Sequence, residues 1–402
     1  MSANWFRRIK SREHSESGAV AVTVAALSLV LVGVGAFTLD FGMSYASTRQ
    51  LQTSADAAAL AAANYLKSQP GTCATIVVTS SVITTARDTA DSIMLENRAG
   101  STRERMDVTC VNGGRSLQVR YVSAGSTPSF LGPIFGRTGG YASSRPATAL
   151  VEVPDSAIGV RPYAICAAQI PAGLPSVVYK MELPALGNSL CPGADSSGNW
   201  WSVDCPEAFS NGTSDLGDTT VNGCSGVIRI VPGQTTTPAR TPIGLRTYLE
   251  GYCTARNASC LSANPGNLRG TPIVNAWDTL IDKKEPILLP VFCGGLPTGL
   301  CDRAAVVNAG GNNAIYPVQS LLGVIVCGYH WGSKNNDAGM TGICGGVNNP
   351  LGLRSSTGDS NDNYLLLRSV PISISGGDST VTTCGIGDPT CDRGARRVFL
   401  SE

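Results

Sequence analysis

Apolar residues run from Gly18 to Leu39, "GAVAVTVAALSLVLVGVGAFTL", without one charge. At ~1.5 Å per residue a helix of that length crosses a ~30 Å hydrocarbon core. From Leu39 to Leu66 only Gly42 weakens a helix, and "SQPG" at 68–71 stops it. Alanine is the strongest helix former, so the span and "ADAAALAAANYL" (55–66) are expected as one rod. Leu51, Ala55, Ala58, Ala59 and Ala62 fall on one stripe of that rod at helical spacing. Small side chains admit a second helix or a sheet closely, which makes the stripe a candidate partner contact. The alternative is that alanine only keeps the helix stable.

Past the rod, "SSVITTARDTADSIMLEN" (80–97) puts Val82, Ile83, Ala86, Ala90, Ile93 and Met94 on one face of an amphipathic helix. "RMDVTCV" and "SLQVRYV" then alternate as strands around "NGG" at 112–114, a hairpin signal. A short apolar insert, "TPSFLGPIFGR", and a third strand, "ATALVEV" (147–153), follow. "VPDSAIGVRP" reads as a junction. After it, strand-like runs recur in "VRPYAICAA", "PSVVYKMEL", "GVIRIV", "EPILLPVF", "QSLLGVIVCGY" and "YLLLRSVPISIS", while "TPIGLRTYLEGY" reads as a helix. The expected class is α+β: a tail (1–17), a transmembrane helix (18–39), a long helix with a small antiparallel sheet (40–153), and a mostly β, cysteine-rich region (154–402).

Composition adds compartment. The formal net charge is +1, so no global field selects nucleic acid. All 14 cysteines lie beyond residue 70, and none has the C-x-x-C spacing of a zinc or thioredoxin-type site. An even number confined to the region after the span suits disulfides outside the cytoplasm. Short separations favour Cys191 with Cys205, Cys253 with Cys260, Cys293 with Cys301, and Cys384 with Cys391, each closure contributing about 2–3 kcal/mol. Cys73 with Cys110 would tie the first domain's helix to its hairpin. Sequence leaves Cys166, Cys224, Cys327 and Cys344 without assigned partners.

Arg7, Arg8, Lys10 and Arg12 precede the span and Asp40 follows it. The positive-inside rule then puts the N-terminus in the cytoplasm and the rest outside. A cleaved secretory signal is the rival. Its apolar core would be shorter, about 7–15 residues, and its nearest small-residue site, "SYAS" (44–47), is set back behind Asp40.

The string from "ESGAVAVT" through "DFGMSYASTRQLQTSADAAALAAANYL" resembles the N-terminal segment of TadE/TadG-like proteins of the Flp (tight-adherence) pilus system. Gly18, Asp40, Gly42, Gln52, Ala55 and Asp56 match that pattern position by position. The resemblance implies a bacterial envelope protein that assembles or anchors a pilus, with the cell membrane and pilin-like or other Tad-type assembly proteins as partners. It also implies a pilin-like plan for the long helix and sheet. Asp40, Gly42, Leu51, Ala55, Asp56, Ala58, Ala59 and Ala62 are the partner-contact candidates. "GNWWSVDC" (198–205) resembles a segment of actinobacterial relatives. Two departures stand out. Thr23, not Glu, lies five residues beyond Gly18, so prepilin-type cleavage is not expected. The Asp-x-Ser-x-Ser metal string carried by some relatives has no counterpart in "DSSGN" or "DFGMS".

Candidate chemistry is sparse, and no catalytic residue, cofactor or metal is expected. His330 in "CGYHWG" is the one histidine beyond the tail and has no nucleophile elbow beside it. "DSNDN" (359–363) starts like a calcium loop but has Tyr364 where glycine is needed and Val370 where glutamate is needed. Trp200 and Trp201 offer flat faces for a carbohydrate or a pilus subunit, with burial as the alternative. A non-enzymatic envelope component is the leading class; an anchored surface hydrolase using His330, or a carbohydrate-binding protein, is the other. Protease added to spheroplasts should digest the domains beyond the span and spare the tail. A mature N-terminus near Ser47 would contradict an uncleaved anchor.

Overall fold

The computed structural model describes residues 13–129, 140–171, 178–182, 202–207, 213–230, 235–236, 259–262, 268–292, 315–336, 344, 363–374, 384–389 and 391–401. The span and the alanine segment form one helix, α1 (Glu13–Lys67). It ends where Ser68, Gln69 and Pro70 were expected to end it. Along its first half the large side chains face outward: Val22, Leu29, Leu31 and Val32 are all exposed. Along its second half Leu51, Ala55, Ala58, Ala59, Ala62, Ala63 and Leu66 are buried. The change falls near Asp40, so the two halves of the helix meet different surroundings.

Two short helices and a hairpin follow. In α2 (Cys73–Val78) the Thr72 side chain caps the first turn by accepting from the Thr75 amide. The amphipathic segment is α3 (Ser80–Asn97), with Ala86, Ala90 and Met94 buried as its periodicity requires. Strands β1 (Thr102–Val111) and β2 (Ser116–Thr127) flank the "NGG" turn. Asn112, Gly113 and Gly114 all take positive φ there, a conformation that Asn and Gly adopt at least cost. β3 (Tyr141–Glu152) covers the third predicted strand.

The remaining strands, in chain order, are β4 (Ser156–Ala157), β5 (Ile165–Cys166), β6 (Val178–Glu182), β7 (Ile228–Arg229), β8 (Thr235–Thr236), β9 (Ser259–Ser262), β10 (Ile287–Phe292), β11 (Ile315–Trp331), β12 (Lys334–Asn336), β13 (Asn363–Ser369), β14 (Ile372–Ser373) and β15 (Ala395–Leu400). Helices α4 (Thr213–Asn222) and α5 (Thr271–Lys283) lie among them. The first sheet runs β1-β2-β3-β15-β14, so a strand from the last residues extends the N-terminal hairpin sheet. β15 is antiparallel to β3, with Val398 opposite Val151. A larger sheet runs β5-β10-β11-β13-β6, with β9 and β12 also on β11. Both faces of β10 are buried, which explains the unbroken apolar run "ILLPVF".

The chain divides into two compact units. The first comprises residues 1–61, 88–107 and 120–148. In it α1 and α3 touch through Ser54, whose hydroxyl donates to the Met94 carbonyl at 3.1 Å. The second comprises residues 62–87, 108–119 and 149–402. Its main core gathers Tyr163, Trp277, Leu289, Val291, Phe292, Tyr316, Trp331 and Leu367. Trp277 of α5 lies 4.9 Å from Tyr163 and 6.2 Å from Trp331, ring centre to ring centre. α4 and α5 approach closely at Gly217, where a Cβ would stand 3.0 Å from Pro272.

Two buried ion pairs hold β15. The Arg397 guanidinium donates to Glu152 at 2.7 Å, and Ser116 donates to the same carboxylate. Arg396 pairs with Asp392 at 2.7 Å and also donates to the carbonyls of Lys67 and Gln69. Those carbonyls belong to the end of α1, where orphaned acceptors and the negative helix pole favour a cation. Asp392 in turn accepts from the Gly387 and Gly394 amides. Gly387 fits because a Cβ would stand 2.3 Å from the Gly71 carbonyl oxygen.

Four disulfides have both ends described: Cys73–Cys110, Cys205–Cys224, Cys327–Cys344 and Cys384–Cys391. Cys205 therefore takes Cys224, not Cys191. Glu207 accepts from the Ser225 and Gly226 amides and so draws the two cysteine segments together. Cys327 sits at an irregularity of β11, between Val326 and Gly328, where the ladder skips a residue. Cys166 is also disulfide-bonded. Cys191, Cys253, Cys293, Cys301 and the side chain of Cys260 lie outside the described residues, as do Trp200, Trp201, most of the apolar insert, "TPIGLRTYLEGY" and most of "DSNDN".

Substituting Ala58→Leu should overpack this chain's own interior and cost about 1–3 kcal/mol in denaturant unfolding of the detergent-solubilised protein. Ala57→Leu, on a half-buried position, should cost less. Arg396→Ala should cost about 3–5 kcal/mol, because Asp392 is left charged and buried. Equal unfolding midpoints for all three variants and the parent would contradict this packing.

Candidate functional site

The segment of α1 from Asp40 to Ala62 carries all the partner-contact candidates, and the structure sorts them into three environments. Leu51, Ala55, Ala58, Ala59 and Ala62 have no exposed surface. The close approach for which their small size is suited takes place inside this chain, against its own elements. No part of that stripe is open to a second molecule.

Asp40 is also buried, at 7% exposure, although it marks the end of the apolar run. Its carboxylate accepts from the Ser129 hydroxyl at 2.8 Å, just beyond the end of β2. Two turns further along α1, Ser47 takes part in the same contact line. Its hydroxyl accepts from Arg98 at 2.7 Å and from Thr127. Polar groups therefore fix the end of the β2 strand to α1 where the helix leaves its apolar stretch.

Asp56 is half-buried and accepts from the Gln52 amide at 2.8 Å, one turn away. The same Gln52 nitrogen donates to the Pro146 carbonyl of β3 at 3.1 Å. These two motif positions thus orient the helix on the sheet. Gly42 is exposed, and a Cβ placed there meets nothing within 4 Å. It is the candidate whose surroundings leave most room for another molecule.

Titratable groups elsewhere are built into the packing. Tyr121 donates to Asp91 at 2.7 Å, and Arg103 pairs with the same carboxylate. Burial and that hydrogen bond to Asp91 push the Tyr121 phenol well above its ordinary value. Tyr329 donates to Asp278, which Asn336 also approaches, and its phenol shifts the same way for the same reasons. Burial pushes the Tyr179 phenol up to about 12. Arg161, lowered by burial, donates to the carbonyls of Thr220 and Val221 at the end of α4.

His330 is buried and lies flat against Tyr364 on the neighbouring strand, with ring centres 5.2 Å apart. Among the described residues, one group of three potential metal ligands converges, Cys205, Glu207 and Cys224. Its two sulfurs are already bonded to each other, and the carboxylate serves backbone amides. That chemistry suits a structural cross-link, since a disulfide sulfur is a poor ligand compared with a thiolate.

Sequence reasoning did not single out Arg396, Arg397, Asp392 or Ser129. Arginines inside a strand read as exposed positions, and their partners are distant in sequence: the end of α1 for Arg396 and Glu152 of β3 for Arg397. No curated protein and no solved structure matches the chain. The family model described as Flp pilus-assembly TadE/G-like matches residues 18–64, the stretch that holds the exposed apolar half of α1 and most of its buried alanine face. Residues 18–64 are thus similar to the TadE/G-like Flp pilus-assembly family.

Proposed function

We propose that this protein is a membrane-anchored, non-enzymatic component that assembles or anchors a Tad-type pilus, with its N-terminus in the cytoplasm and its folded units outside. One observation carries the reading: the residues that match the pilus-assembly family form a helix whose first half turns its large apolar side chains outward and carries no charge between Gly18 and Leu39. Such surface is stable in lipid and costly in water. The disulfides of the later segments suit an oxidising compartment, which agrees with the basic residues at 7–12 remaining inside.

Pilin-like or other assembly proteins are the partners that this reading implies. With the alanine stripe and Asp40 covered from within, Gly42 and Asp56 are the contact candidates left to meet them. A glycine in a helix costs about 1 kcal/mol relative to alanine, and none of that cost is recovered inside this chain. Close approach of a second helix at Gly42 would recover it.

Deleting the gene should remove pilus fibres from cells viewed by electron microscopy, and the parent sequence should restore them. Gly42→Leu should restore fewer fibres, while Gly42→Ala should restore nearly all, with both variants present in the membrane at parental levels. Normal fibres in the deletion strain would contradict the proposed role; full restoration by Gly42→Leu would contradict the contact alone.

A further inference from the structure

Apolar and aromatic exposure on α1 does not stop at Leu39. Phe37 is 65% exposed, Phe41 68% and Tyr45 54%, on positions spaced by four along one side of the helix. Asp40 stands among them in sequence but not in space. It belongs to the buried side, with Ala36 and Ser47, and its carboxylate is engaged by Ser129. The charge that closes the apolar run in the sequence is therefore withdrawn from the aromatic side. One turn past Tyr45, the Arg49 guanidinium covers the Tyr45 ring at 4.8 Å from its centre. The row thus ends in an exposed cation seated on an aromatic ring.

Length says what this row faces. Gly18 to Leu39 spans about 33 Å, close to the ~30 Å hydrocarbon core. Each headgroup layer adds about 5–8 Å beyond that core, and Phe41 lies about 3 Å and Tyr45 about 9 Å past Leu39. Phe41 then falls in the outer interfacial layer and Tyr45 at its outer limit, and the Arg49 guanidinium is brought back to that limit by its seat on the Tyr45 ring. Aromatic rings with a polar end are stable in that layer, and a guanidinium pairs well with phosphate oxygens.

A second element reaches the same level. The hydroxyls of Thr127 and Ser129 bind Ser47 and Asp40. Gly140 lies against the Thr127 carbonyl, where a Cβ would stand 2.3 Å from the oxygen. Tyr141, the next residue, opens β3 and is 38% exposed.

We propose that Phe37, Phe41, Tyr45 and Arg49 of α1, with Tyr141 of β3, form a collar that binds the phospholipid headgroup layer. The first unit then rests on the lipid surface instead of standing off from it on a bare stalk. The inference rests on the anchoring reading above, since a protein that did not cross a bilayer would have no headgroup layer at this height.

Photo-crosslinking tests it on the full chain. A benzophenone side chain replaces Phe41, Tyr45, Leu29 or Thr53, one at a time, and each protein is reconstituted into phosphatidylcholine–phosphatidylglycerol vesicles. Leu29 reports the middle of the span and Thr53 an exposed position about 12 Å beyond Tyr45. Lipid adducts, read by mass spectrometry, should form at Phe41 and Tyr45 at yields within about threefold of Leu29 and at least about tenfold above Thr53. Adducts at Leu29 alone would overturn the collar and leave the anchor standing. Their absence at Leu29 as well would overturn the anchor. Protein adducts in place of lipid at Phe41 and Tyr45 would mark this row as a face for a second copy and also overturn the collar.

Discussion

One helix has to satisfy two solvents. The first half of α1 presents valine, leucine and phenylalanine outward, and the second half turns alanine inward. Bulky residues suit the first task because lipid rewards apolar area without requiring fit. Small ones suit the second because α3 and the sheet can then approach the helix axis, and the many contacts of a close-packed interior replace large individual side chains. Interchanging the two patterns would fail at both ends: bulk would hold neighbours off the core, and alanine would give the span little apolar area. The rest of the N-terminal architecture follows from that division, including the polar contacts of Asp40, Ser47 and Gln52 at and beyond the changeover.

The other end of the same helix is closed by a residue from the opposite end of the chain. Arg396 satisfies carbonyls at the C-terminus of α1 and is itself held by Asp392. That carboxylate also accepts from the Gly387 amide, next to the Cys384–Cys391 disulfide, and β15 itself pairs with β3. Arg161 repeats the device at the end of α4. In both places a guanidinium, with several donors in a fixed plane, meets acceptors that a helix end leaves unpaired. The result makes the long middle of the chain an insertion between the third and fourth strands of one sheet.

Where local pattern decides structure, the sequence was legible. The uncharged run, the "NGG" turn and the 80–97 periodicity all carry their outcome within a dozen or so residues. α5 was legible too and was passed over: Pro272 at its first turn, with Ile273, Ala276, Trp277, Leu280 and Ile281 at helical spacing, mark it plainly. β15 was not. Its strand contains two buried arginines whose partners, Glu152 and the end of α1, come from distant sequence. Cysteine pairing was legible for Cys73–Cys110 and Cys384–Cys391 and failed at Cys205, where short separation favoured Cys191 while three-dimensional placement brought Cys224. The alanine spacing marks a stripe that is buried within this chain, but one sequence cannot tell an internal neighbour from an external one.

The central claim is that the alanine face of α1 is covered by this chain itself. Hydrogen exchange of the purified protein alone, in detergent, measures it through the peptide spanning residues 55–66. The account predicts protection there as strong as in β10 and β11, because both lie in packed interiors. Rapid exchange in the isolated protein, slowed only when a pilus-assembly partner is added, would contradict it.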